Sequence, residues 1–137
     1  MNNYLLERNI YDIKGKVLIC GTCLFNMQQV GFEKIKKDYD TIVFLCLEHD
    51  HINMAITKIC GAISTNNIKS ITFASVNKSP HCIQLHYIKN EIERIMDKKK
   101  IPPINNIIIQ NNEIYEIDDN VLSLSKDLVK LSKIIKK

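Results

Sequence analysis

A chain of 137 residues, 45% of them hydrophobic, carries enough apolar surface for one well-filled core but not for two, so residues 1-137 are read as a single domain. Its longest apolar runs, such as Ile42 to Leu47, are strand-sized and fall short of the roughly 20 residues that cross a bilayer, which excludes a membrane-spanning helix. The formal charge of +4 rests on lysine, because Arg8 and Arg94 are the only arginines among 19 basic residues, and the lack of clustered guanidinium forks argues against nucleic-acid recognition.

The opening residues, Met1 to Arg8, lack the basic flank, apolar stretch and small-residue cleavage site of a secretory signal, so a soluble, cytoplasmic protein is expected. Lys16 to Cys20 is a short, partly β-branched apolar run after Gly15 and predicts a buried strand. From Leu24 to Tyr39 the pattern turns helical, with Phe25, Gln28, Phe32, Ile35 and Tyr39 on a face interrupted by Gly31. Asp40 to Cys46 predicts a strand apolar on both faces, as in the middle of a parallel sheet, and the polar loop Glu48-His49-Asp50-His51 follows it. Ile52, Ile56, Ile59 and Ile63 recur at helical spacing and predict a helix with one buried stripe.

Lys69 to Val76 is the third predicted strand. Ser79 then stands at an N-cap with Pro80 at the first helical position: serine accepts an orphan amide hydrogen, and proline has none to leave unpaired. The helix so opened is expected to bury Leu85, Ile88, Ile92 and Ile95, and Pro102-Pro103 closes the unit. Ile104 to Gln110 and Glu113 to Ile117 are strand-like runs joined at Asn111-Asn112, a pair that tolerates the left-handed backbone of a tight hairpin. Asp118 or Asp119 caps a final helix whose Val121, Leu124, Leu128, Leu131 and Ile135 form one stripe. The alternation predicts a three-layer α/β domain: a mainly parallel sheet built of βαβ units, an antiparallel edge hairpin and a C-terminal helix.

Five cysteines, Cys20, Cys23, Cys46, Cys60 and Cys82, form an odd count in a chain without an export signal and predict reduced thiols. In a parallel sheet the loops leaving the carboxyl ends of the strands share one edge, and ligands bind there. Cys20 and Cys23 follow the first strand, Cys46, His49 and His51 the second, and His81, Cys82 and His86 the third, while Cys60 falls inside a helix and is expected to be core or near-core with no ligand role. The Cys20-Gly21-Thr22-Cys23 spacing lets two thiolates meet one metal or form one disulfide. Cys82 is placed in the first turn of its helix, where free amides favour a thiolate, and His86 lies four residues on along the same face. A set of Cys20, Cys23, Cys46 and Cys82, with His81 and His86 as further ligands or donors, suits an iron–sulfur cluster or, alternatively, zinc. The competing reading is ordinary burial of small thiols beside solvated histidines. Gly15, Gly21, Gly31 and Gly61 are too scattered for a phosphate-cradling loop.

A strand followed by Cys20-Gly21-Thr22-Cys23, another ending in Cys46, and a third followed by His81-Cys82-Ile83-Gln84-Leu85-His86-Tyr87 resembles the small iron–sulfur (delta) subunit of methyl-viologen-reducing hydrogenases over residues 16 to about 96. That family's third loop carries two cysteines before a His-Tyr pair, where this chain has Cys82 alone before His86-Tyr87. The resemblance implies electron transfer through an iron–sulfur cluster to a redox partner protein. The leading expectation is thus a small redox or metal-binding protein acting in electron transfer. The alternatives are thiol–disulfide or sulfur-transfer chemistry at Cys20 and Cys23, and a non-catalytic interaction domain. No nucleic-acid or membrane partner is expected.

Overall fold

The computed structural model describes residues 3–136. Five strands, β1 (Gly15–Gly21), β2 (Thr41–Leu45), β3 (Ile68–Val76), β4 (Ile104–Gln110) and β5 (Glu113–Ile117), form one sheet in the order β2-β1-β3-β4-β5. The first four are parallel and β5 runs antiparallel to β4. The hairpin turns at Asn111 and Asn112, both left-handed at φ 53° and 60°, as the Asn-Asn pair predicts for a turn that follows the twist of its strands. Ahead of β1, Leu5 donates its amide to the Phe44 carbonyl and is itself buried, so the chain's early residues cover the outer edge of β2.

Side chains alternate across each strand, and this sorts the apolar residues into two cores. On one face Val17, Ile19, Val43, Leu45, Ile71 and Phe73 meet α3 (Ile52–Thr65) and α4 (Pro80–Ile95). On the other, Leu18, Cys20, Ala74, Val76, Ile107 and Ile109 meet α1 (Thr22–Met27) and α2 (Gln29–Lys36). The three layers and the edge hairpin match the expected α/β class. The α3 stripe buries Ile56, Ile59 and Ile63 as spaced, and α4 starts with the Ser79 hydroxyl accepting the Cys82 amide, with Pro80 at its first position. Of the stripe expected for α4, Ile95 is exposed instead, because the helix ends there.

Two predicted helices are each broken in two. The helix expected from Leu24 to Tyr39 begins earlier, at Thr22, and breaks at Gln28, whose φ of −133° and ψ of 54° leave the helical region. The break lets α2 press onto the β4–β5 turn: Asn112 donates its amide to Gln28 Oε1 at 2.8 Å, and its Oδ1 accepts from Gly31 N–H at 3.1 Å. Gly31 is there because the approach leaves no room for a side chain; a Cβ would lie 2.5 Å from Ile109 Cγ2. The final helix breaks at Asp127 into α5 (Asp119–Lys126) and α6 (Leu128–Ile135). Aspartate competes poorly inside a helix and well as a cap, and Asp127 Oδ1 accepts the Lys130 amide at 3.0 Å to start the second piece. The expected continuous stripe is therefore lost. Leu122 is the buried residue of α5, while Val121, Leu128 and Ile135 are exposed. Among the described residues no helix is long and apolar enough to cross a membrane.

Candidate functional site

The strand order places a switch point beside β1. The chain passes from β1 outward to β2, then returns across β1 to β3 on its other side, so the connections leaving the carboxyl ends of β1 and β3 diverge and open a crevice between them. Into that crevice β1 delivers Gly21, Thr22 and Cys23 without a loop, since α1 starts at Thr22. β3 delivers Ser79, His81 and Cys82 after a short turn, and the neighbouring β2 delivers Cys46 and Glu48. Gly21, Cys23, Cys46, Glu48, His81 and Cys82 together border a cavity of about 40 Å³.

Cys23 and Cys82 border this cavity together, and the Cys82 thiol lies near enough to favour the protonated form of Cys23. Partial burial is the largest cause lifting the Cys23 thiol above the ordinary thiol range, followed by the nearby Cys82 and Cys46 sulfurs, with the Glu48 carboxylate adding a smaller push. Cys23 is exposed and Cys82 buried, so the pair has one accessible sulfur and one sheltered one. Gly21 makes the approach possible: a Cβ there would stand 3.3 Å from Cys82 Sγ, closer than most such contacts. His81, exposed at the rim, has Nδ1 3.9 Å from Glu48 Oε2.

Cys20 does not border this cavity, although it shares a buried cluster with Cys82. It precedes Gly21 by one strand position, so its side chain points to the opposite face of the sheet, into the core with Leu18, Leu24 and Phe32. Burial pushes its thiol far above the ordinary range and keeps it protonated. Cys60 is part-buried against the other core, as expected.

His86, spaced four residues from Cys82, turns instead to a buried network. Its Nδ1 is 2.9 Å from Asn106 Oδ1 and its Nε2 is 2.6 Å from Ser75 Oγ. An amide oxygen only accepts, so Nδ1 carries the proton and Nε2 accepts from the Ser75 hydroxyl. Burial lowers the His86 pKa, with the Asn106 bond opposing in part, which holds the ring neutral. The order of hydroxyl, imidazole and amide is that of a nucleophile relay, but Ser75 is fully buried and no substrate reaches it. The remaining loop histidines have local tasks: His51 accepts the Asn53 amide as the N-cap of α3, and His49 pairs with Asp50 at 3.0 Å.

Sequence reasoning missed two features of this edge. Glu48 was visible only as a loop residue. Thr22, inside the cysteine spacing, has a buried Oγ1 with no hydrogen-bond partner, and it lies between the thiol cavity and a neighbouring one of about 290 Å³ lined by Glu7, Cys46, His49 and Asp50. Among the described residues no three His, Cys, Asp or Glu side chains converge as a metal ion requires. As placed, the thiols do not form a coordination sphere for zinc or a cluster.

A family model described as a Rossmann-like domain matches residues 13–137. No curated protein and no solved structure matches the chain.

Proposed function

The chain belongs to this Rossmann-like domain family, and from that premise we propose that it is a thiol-based redox protein whose Cys23 and Cys82 cycle between dithiol and disulfide at the crevice between β1 and β3. The observation that carries the reading is an accessible and a sheltered thiol bordering one small cavity at the edge where open α/β sheets bind ligands. Cys23, as thiolate, attacks a substrate disulfide and forms a mixed disulfide, releasing one substrate thiol. The Cys82 thiolate then attacks Cys23 Sγ and releases the second. Two electrons pass from the dithiol to the substrate, and the protein is left with one Cys23–Cys82 bond. The raised pKa of Cys23 withholds thiolate stabilisation from the reduced form, which favours a reducing rather than an oxidising couple. A reductant of the dithiol or thiol class, in the cytoplasm, would reset it. The Thr22 hydroxyl and the adjoining cavity offer a place for the substrate beside Cys46.

Equilibration of the full chain in thiol/disulfide buffers, followed by alkylation and peptide mass mapping, tests the proposal. One two-electron transition linking Cys23 to Cys82 is expected. A Cys20–Cys23 bond, or no intramolecular disulfide under mild oxidation, would overturn it.

A second reading is ligation of zinc or an iron–sulfur cluster by Cys23, Cys46 and Cys82 with His81, the direction in which the hydrogenase-subunit resemblance points. Its support is the third thiol: Cys46 is near enough to raise the Cys23 pKa, a repulsion that a bound cation relieves. It requires the side chains to draw closer than they stand. Iron, sulfide and zinc analysis of anaerobically purified protein separates the two readings, since stoichiometric metal would displace the disulfide proposal.

A further inference from the structure

The hairpin between β4 and β5 has a consequence on the face of the sheet that carries α3 and α4. No crossover helix follows β4, and α5 alone reaches over that end of the sheet. Between α4, the hairpin and α5 there remains a cavity of about 420 Å³, within the roughly 300–1,000 Å³ range of small-molecule sites. Its apolar walls are Val76, Ile83, Ile108, Ile117, Val121 and Leu122. Of these, Val76 and Leu122 are buried. Ile83, Ile108, Ile117 and Val121 keep apolar surface turned toward space that the protein itself does not fill. His86 contributes to the floor, with both ring nitrogens already engaged by Ser75 and Asn106, so the neutral network walls the cavity off from the core.

Asn77, Ser79 and Ser125 add polar groups to the lining, and Lys78 is its one cationic side chain, His86 being neutral. Lys78 is exposed, and among the described residues makes no hydrogen bond or ion pair. Its φ is 66°, a left-handed conformation that costs a non-glycine residue on the order of 1 kcal/mol and that clusters at ligand sites. Beside it Asn77 Nδ2 donates to Gln110 Oε1 at 2.6 Å, tying the turn to the end of β4.

We propose that this cavity binds a small amphipathic carboxylate, its aliphatic or aromatic body against Ile83, Ile108, Ile117 and Leu122 and its anionic end at the Lys78 ammonium. The apolar walls supply affinity without direction, and the single unpaired cation supplies orientation and selects the sign of the charge. The inference is independent of the thiol reading, since no cysteine lines the cavity.

Titration of the isotope-labelled full chain with decanoate and, separately, with decan-1-ol, followed by two-dimensional amide NMR below the micellar concentration, tests it. Decanoate is expected to give saturable shifts confined to the residues around Lys78, Ile108 and Leu122, and to bind more tightly than the alcohol. Lys78→Gln should weaken decanoate about fivefold, the size of an exposed ion pair, and leave the alcohol unchanged. Val121→Trp, at a half-exposed position on the rim, should retain the fold and block both probes. Non-saturable or dispersed shifts, decan-1-ol binding as tightly as decanoate, or unchanged decanoate binding to a folded Val121→Trp variant would each overturn the proposal.

Discussion

The buried imidazole of His86 makes the stability of the domain depend on pH in a direction that can be worked out. In the unfolded chain the ring titrates near the ordinary value of 6.5, whereas in the fold burial lowers its pKa. Below about pH 6.5 the unfolded state therefore binds a proton that the folded state refuses, and stability falls as the pH falls. Above that value neither state binds it and the contribution is level. The slope is limited to one proton, about 1.4 kcal/mol per pH unit, and a ring that stays neutral throughout would lose about 2 kcal/mol between roughly pH 7.5 and pH 5. His86→Gln removes the titration and keeps a hydrogen-bonding side chain. It does not reproduce both the 2.6 Å bond to Ser75 and the 2.9 Å bond to Asn106, so it should lower stability near neutrality by about 1–3 kcal/mol. Urea denaturation of both proteins across that pH range gives the test. The two stability profiles should converge as the pH drops, because only the native protein loses the His86 contribution. Parallel profiles would refute the account of a neutral, desolvated imidazole, since every other titrating group is common to both proteins.

Three further outcomes follow from single positions. Gly31→Ala places a Cβ 2.5 Å from Ile109 Cγ2 and 3.4 Å from Asn112 Cα, so thermal or urea unfolding should show a loss of about 1–3 kcal/mol; full stability would mean that α2 does not press on the β4–β5 turn as described. Cys20→Ser buries a hydroxyl among apolar neighbours and should cost about 1–3 kcal/mol while the yield of the Cys23–Cys82 disulfide stays the same, and a lost disulfide in a folded variant would return Cys20 to the site. The rate of Cys23 alkylation should rise with pH through a midpoint above that of a free thiol and shift downward in Cys82→Ala and in Glu48→Gln; a midpoint at or below the free-thiol value would contradict the environment assigned to Cys23.

The mainly parallel sheet with its edge hairpin, the α3 stripe and the Ser79-Pro80 start of α4 were legible because each rests on local signals that tertiary packing reinforces, whereas the strand order was not. The two helix breaks were not. Gln28 is an acceptable helix residue, and it leaves the helix because its side chain and the Gly31 amide are claimed by Asn112, more than 80 residues away in the chain. Asp127 carried a usable signal, an aspartate three residues before Lys130, which the apolar spacing of Val121, Leu124 and Leu128 outweighed in the sequence reading. The site divides in a similar way. Sequence position placed Cys23, Cys46 and Cys82 on one edge, but it treated Cys20 and Cys23 as a unit. The period of two separates them: Cys20 still belongs to the strand and takes the face opposite Gly21, while Cys23 already belongs to α1. His86 was read with Cys82 by helical spacing, and what decides its direction is the acceptor Asn106 and the hydroxyl of Ser75, polar residues on β4 and β3 that the sequence pattern did not single out.

The same topology accounts for why the chain carries two distinct recesses along one edge of the sheet. At β1 and β3 the connections leave in opposite directions, which opens the crevice that the thiols border. At β4 and β5 a hairpin replaces a crossover, which withholds a covering helix and leaves Ile83, Ile108, Ile117 and Val121 with apolar surface facing space. The start of α4 stands between them, with His81 and Cys82 on the thiol cavity, Pro80 on the apolar one and Ser79 on both. Ser79 also holds the helix start through the Cys82 amide, so the position of the sheltered thiol and one wall of the apolar cavity are set by a single cap. A chain with a crossover helix after β4 would keep the crevice and lose the cavity, so the two sites rest on separable features of the fold.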